Sequence, residues 1–197
     1  MSQQNKTVRR IVTGHDANGQ AVISADGNPE RSYMIGGAEG AKFHEIWHTL
    51  QSPALVNNGP GDPVESNLVL SPPKGGTRIR VVDFPPEGEA IRNLSAKEGR
   101  QHFKTMGGEE ASTAEGLGLH PLMHRTETID YGIVLEGELT LILDHGQTTI
   151  KAGDIVIQRG TNHAWANRSG KSCRIAFILV DGQYTHENNN LIFSSAD

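Results

Sequence analysis

The sequence predicts an all-β fold, an antiparallel sandwich or closed barrel, on three observations. Short strand-like runs recur along the chain between clusters of turn residues. The 23 glycines and nine prolines among 197 residues are scattered rather than clustered, as many tight turns require. No helical pattern alternates with strands in the carboxy-terminal half, which argues against a parallel α/β sheet. A chain of this length suits one domain with an ordinary core.

The elements follow in order. Arg10–Thr13, Ala21–Ser24, Ser32–Ile35 and Phe43–His48 read as strands, with segments rich in Gly, Asn and Asp between them. Residues 52–65 read as an irregular loop, followed by a strand pair, Leu68–Ser71 and Thr77–Phe84, that Pro85-Pro86 stops. Ser95 with Glu98 three residues later forms a capping-box signature, predicting a helix to about Lys104 before Gly107-Gly108. From there strand-like runs occupy about 116–124, 130–144, 147–151, 154–158, 163–167 and 172–181. Asp144-His145-Gly146 and Ala152-Gly153-Asp154 read as hairpin turns. The expected organisation is a strand-rich extension over 1–94 that packs on the barrel or on a dimer partner. A short helix and connector follow over 95–110, then the barrel core over 111–184 and a tail over 185–197. Such an amino-terminal strand region predicts a homodimer, since extra strands can cover a partner's sheet edge.

Composition narrows the function. A formal charge of −5 and no concentrated basic patch argue against a nucleic-acid partner. No apolar run is long enough to span a bilayer, so no membrane partner is expected, and the start lacks a secretory signal. The single cysteine, Cys173, fits a reducing compartment, the cytoplasm, and reads as a small core residue rather than a nucleophile. There is no phosphate-binding glycine loop, so no nucleotide cofactor is expected, and no Gly-x-Ser-x-Gly setting for an activated serine.

The most informative stretch runs from His124 to Asn167. Asp130-Tyr131-Gly132-Ile133-Val134-Leu135-Glu136-Gly137 resembles the first cupin motif, where an acidic residue precedes a glycine by seven positions; Gly118 falls where that motif opens. Gly153-Asp154 and Gly160-Thr161-Asn162-His163 with Asn167 resemble the second. The resemblance covers about residues 116–181 and implies a small jelly-roll barrel, often dimeric, with a metal held inside by three histidines and a glutamate. This chain departs from that set. The second histidine position of the first motif is Thr126, the glutamate position is Asp130, and the proline of the second motif is Gln158.

The ligands that remain, His124, Asp130 and His163, are two imidazoles and a carboxylate, a set suited to Fe, Mn, Ni or Zn with positions left open for oxygen and substrate. His120 is a possible substitute, although four residues of extended strand put it ~13 Å from His124 unless the chain kinks at Pro121. Arg159, Tyr131, Trp165 and Thr126 are the expected substrate-binding residues; Arg159 suits a carboxylate or phenolate. Arg125 reads as a surface or salt-bridged residue, and His44 and His48 either line a pocket or sit partly exposed on their strand.

Three functions stay open on these residues. One is a small enzyme acting on a compact, oxygenated or aromatic molecule through a divalent metal, including oxygenase or oxidoreductase chemistry. The second is metal-free acid/base catalysis by a His124–Asp130 pair in an isomerase, dehydratase or cyclase. The third is a non-catalytic module that binds a small molecule.

Overall fold

The computed structural model describes residues 7–37, 40–57, 67–114 and 119–193. Its strands, in chain order, are β1 Arg10–His15, β2 Ala21–Gly27, β3 Arg31–Ile35, β4 Ala41–Thr49, β5 Thr77–Phe84, β6 Thr128–Glu136, β7 Glu138–Leu143, β8 Gln147–Lys151, β9 Ile155–Arg159, β10 His163–Ala166 and β11 Cys173–Asp181. Every pairing between them is antiparallel. Six strands form one sheet in the order β3-β4-β5-β11-β6-β9, three form another in the order β10-β7-β8, and β1-β2 make a separate hairpin. Val82, Val134, Ile175 and Cys173 of the larger sheet pack with Leu139 and Ile150 of the smaller one, so the core lies between two facing sheets, the jelly-roll arrangement. Cys173 is fully buried there, in keeping with its reading as a small core residue.

Several boundaries fall elsewhere than the pattern suggests. The run 130–144 is two strands that enter opposite sheets, divided at Gly137. That glycine has φ +77°, and a Cβ on it would lie 2.6 Å from the Ser172 carbonyl oxygen, so only glycine fits the crossing. The apolar alternation continues across the break and hides it. Ala152-Gly153-Asp154 is a turn but closes no hairpin: β8 pairs with β7 and β9 with β6, so the chain changes sheets there.

Leu68–Ser71 is not a strand. Its apolar side chains Leu68 and Leu70 are buried against Phe103, Met106 and Ala111, and arginines rather than a ladder partner satisfy two of its carbonyls. Gly118 lies outside the described residues, and 119–124 turns at Pro121-Leu122 instead of extending as a strand. The division at residue 94 also cuts through the fold. β3, β4 and β5 are integral to the six-stranded sheet, with β5 beside β11 at its centre, and only β1-β2 stand apart.

The helices are α1 Glu89–Arg92, α2 Ala96–Lys104 and α3 His186–Phe193, the last falling in the expected tail. At α2 the capping box forms as read: Ser95 accepts from the Glu98 backbone while the Glu98 carboxylate accepts from the Ser95 backbone N–H. Phe103 on this helix is buried, and with His102 and Met106 it closes one side of the barrel cavity.

Candidate functional site

A cavity of about 130 Å³ lies between the sheets and α2. Most of its wall is apolar and aromatic, including Phe43, Phe84, Phe103, Trp165 and Phe177. Against that wall stand His124, His163, Asp130, Thr126 and Arg80. A mostly apolar pocket with a few convergent polar groups is the usual form of a small-molecule site.

One backbone bridge brings the two imidazoles together. His124 N–H donates to the His163 carbonyl at 2.8 Å, and His163 N–H returns the bond at 2.9 Å. Residues that exchange both bonds project their side chains to the same face, and the rings meet with centroids 4.2 Å apart. Each ring is pinned at Nδ1, to the Leu122 carbonyl at 3.0 Å for His124 and to the Thr161 carbonyl at 2.9 Å for His163. A carbonyl only accepts, so each Nδ1 carries the proton and each Nε2 keeps a bare lone pair. Burial pushes the His124 pKa down to about 4, and burial together with the neighbouring His124 holds His163 well below the ordinary histidine value. Both rings are therefore neutral near pH 7.

Asp130 reaches the cavity from β6, and the other inward position opposite it on β9 is Gln158. Burial raises its pKa to about 6, against the opposing pull of a Thr128 hydrogen bond and the Arg80 charge. Its Oδ1 is buried and hydrogen-bonds to none of the described residues. An orphaned carboxylate oxygen, buried on a residue that lines a cavity, is a candidate for binding a ligand or a proton.

These donors only partly fit the metal that the fold family implies. Two bare Nε2 atoms stand side by side, yet among the described residues no three His, Cys, Asp or Glu side chains are grouped to hold a metal ion. The expected three-donor centre of His124, Asp130 and His163 is thus not grouped as a metal site, although all three residues line the cavity. Nor do His124 and Asp130 form the expected acid–imidazole pair; the His124 Nδ1 proton goes to a backbone carbonyl. His120 cannot substitute. It is buried, its Nε2 lies 2.7 Å from Glu87 Oε1, its Nδ1 accepts from the Leu122 N–H, and it lines a different cleft.

Of the expected substrate-binding residues, Thr126 and Trp165 line the cavity. Tyr131 and Arg159 do not. Adjacent strand residues point to opposite faces, so Asp130 and Gln158 facing inward place Tyr131 and Arg159 outside, both exposed. Arg125, expected as a surface or salt-bridged residue, is half-buried and stacks over Phe193 of α3, 4.8 Å from the ring centroid. His44 and His48 are both buried, and a bulge between Glu45 and Trp47 breaks their shared parity. His44 joins Ser32 and Asp83 in a ladder across the strands, away from the cavity.

Sequence reasoning missed Arg80, His102 and Phe103. Arg78 and Arg80 at alternate positions of a strand with Ile79, Val81 and Val82 were the available signal, since such spacing puts both charges on one face. The Phe103 ring packs 4.7 Å from His124 and holds the imidazole in place.

The cupin domain family matches residues 102–180. Phomopsin biosynthesis cluster protein C' of Diaporthe leptostromiformis is 34% identical, over 92% of this chain and 82% of that protein. The cupin-domain-containing oxidoreductase fogC of Aspergillus ruber is 30% identical, over 88% of this chain and 72% of that one. Among solved structures, the Cnp3 cupin domain of Schizosaccharomyces pombe aligns over 96% of both chains at 11% identity, with a TM-score of 0.42. The chain belongs to the cupin superfamily.

Proposed function

We propose that this chain is a cupin enzyme that takes a compact oxygenated or aromatic molecule into the barrel and moves a proton on it with Asp130. The observation that carries this reading is the buried Asp130 Oδ1, without a hydrogen-bond partner among the described residues, on a residue that lines a mostly apolar cavity. Above about pH 6 the carboxylate is ionised, and Oδ1 can accept a proton from a substrate C–H or O–H. The same oxygen can return that proton at a neighbouring atom. Arg80 lies near enough for its charge to act on Asp130, and it would stabilise negative charge developing on the substrate. The bare Nε2 atoms of His124 and His163 would accept hydrogen bonds from substrate hydroxyls and fix its orientation. Proton transfer of this kind serves an isomerase, dehydratase or cyclase. Several relatives carry the name oxidoreductase, a class whose chemistry needs an electron acceptor in addition to this proton acceptor.

A divalent metal (Fe, Mn, Ni or Zn) is the second reading, favoured by the adjacent pair of imidazoles with free Nε2 atoms. Carbonyl-pinned rings of this kind are typical of metal ligands. They supply two donors rather than three, so no step above runs through a metal.

One experiment on protein purified without chelator tests both readings. Asp130→Asn should lower kcat by roughly 10²- to 10⁴-fold, the usual worth of a general base, while substrate still binds. Turnover by the native enzyme should persist in chelator and rise with pH through about 6 as Asp130 ionises. Unchanged turnover in Asp130→Asn refutes the proton-transfer role and leaves a binding module. Stoichiometric metal, with activity lost in chelator, moves the chemistry to the imidazole pair.

A further inference from the structure

Gly99, His102 and Phe103 of α2, with Met106 just past its end, follow the i, i+3, i+4, i+7 spacing of one helical face. Gly99, Phe103 and Met106 are buried and His102 is half-buried, while Gln101, Lys104 and Thr105 are exposed. This face closes one side of the barrel cavity, and His102, Phe103 and Met106 line it. His102 is the one polar side chain of that set. Its carbonyl accepts from the Thr105 hydroxyl at 2.6 Å, but its ring hydrogen-bonds to none of the described residues. Glu98, one turn earlier, interacts with it by charge alone; the Glu98 carboxylate accepts from the Ser95 N–H and hydroxyl instead.

A polar group on an apolar face is normally hydrogen-bonded, and a neutral imidazole offers one donor and one acceptor. Phe103 packs on His124, whereas a Cβ on Gly36 would lie 3.4 Å from His102 Cε1 and 3.5 Å from Ile91 Cδ1. His102 therefore stands toward α1 and the turn after β3, apart from the buried Arg80, Thr126, Asp130 and His163. The cavity holds about 130 Å³, close to the ~150 Å³ that accommodates benzene in an apolar core. One ring fills it, so a group on the outer side of that ring comes to the half-buried end, where His102 is.

We infer that His102 hydrogen-bonds the outer end of the substrate and so selects a single-ring molecule with an oxygen, hydroxyl or carbonyl, at each end. The inner oxygen meets His124, His163 and Asp130, and the outer one meets His102. The inference rests on the reading of this cavity as the substrate site. It adds to that site a specificity-determining residue from the helix, outside both motifs of the barrel.

Titration calorimetry with 4-hydroxybenzyl alcohol and 4-ethylphenol tests it without turnover. The two probes match in shape and differ at one end, hydroxyl against methyl. In His102→Leu the ratio of their affinities should move about three- to tenfold toward 4-ethylphenol, the usual net worth of one hydrogen bond. His102→Gln, which keeps a donor and an acceptor, should hold most of the native ratio. Asp130→Asn, which tests the catalytic reading, should leave the ratio in place. A ratio unchanged in His102→Leu, with both probes bound, overturns the inference and leaves the cavity reading standing. Native protein that binds neither probe overturns both. A shift as large in His102→Gln as in His102→Leu shows a packing effect, and a shift in Asp130→Asn puts the probe hydroxyl at Asp130; either result also overturns it.

Discussion

Three buried titratable groups, His124, His163 and Asp130, tie the cavity to the stability of the protein, and their effects oppose one another. The His124 pKa falls from 6.5 to about 4 on folding. Between those values the unfolded chain binds a proton that the folded chain refuses, so acidification through this window removes stability. For His124 that amounts to about 3 kcal/mol at most, and His163, lowered further, acts in the same direction. Asp130 works the other way. Its pKa rises from 3.8 to about 6, so the folded state keeps a proton that the unfolded state has released. Acidification through about pH 6 to 4 therefore adds stability from this group, again about 3 kcal/mol at most. Two imidazoles outweigh one carboxyl, and the melting temperature should fall as pH drops from 6.5 to 4. Asp130→Asn should steepen that fall by removing the opposing group. Thermal melts of both proteins across this range check the sign; a shallower dependence in the variant would contradict it.

At the scale of elements, the site depends on one crossing and one bridge. Gly137 lets the chain leave β6 for β7 and so change sheets with no linker. A side chain there meets both a left-handed backbone, at about 1–3 kcal/mol, and the Ser172 carbonyl at 2.6 Å. Gly137→Ala should therefore destabilise by at least about 2 kcal/mol in urea unfolding, whereas Gly146→Ala, at a hairpin tip with open space around its Cβ, carries only the backbone part. Equal costs at the two positions would remove the argument for steric closure at the crossing. The capping box at Ser95 was legible because its two residues lie three apart in sequence. The bridge between His124 and His163 was not, because its partners are 39 positions apart and His124 lies in no strand. Cavity-lining Phe103 shows the same limit: helical periodicity gives its buried face but not what that face covers.

At the scale of the whole molecule, the β1-β2 hairpin stands apart from both sheets and exposes Ile11, Val22 and Ile23. A lone two-stranded hairpin is marginal in water. The outer face of β6 and β9 exposes Tyr131, Ile155 and Ile157, a surface of matching character for the hairpin of a second copy. The expected assembly is a homodimer, and sedimentation of the full chain should give twice the 21.3 kDa chain mass. A monomeric mass at micromolar concentration would refute it.

What the sequence determined by itself is whatever repeats locally: the antiparallel strands, the turns, the capped helix, the buried cysteine, and the two motifs that carry the cupin resemblance. These follow from period-two alternation, glycine conformations and short-range hydrogen bonds, all contained in neighbouring residues. The tertiary structure alone decided which sheet each strand joins, and hence that β3, β4 and β5 build the barrel rather than flank it. It also turned Tyr131 and Arg159 outward, gave His120 to Glu87, and set Arg80 beside the cavity. Each of those outcomes rests on pairing between distant segments, where a shift of one residue exchanges inside for outside, and no local pattern records that register.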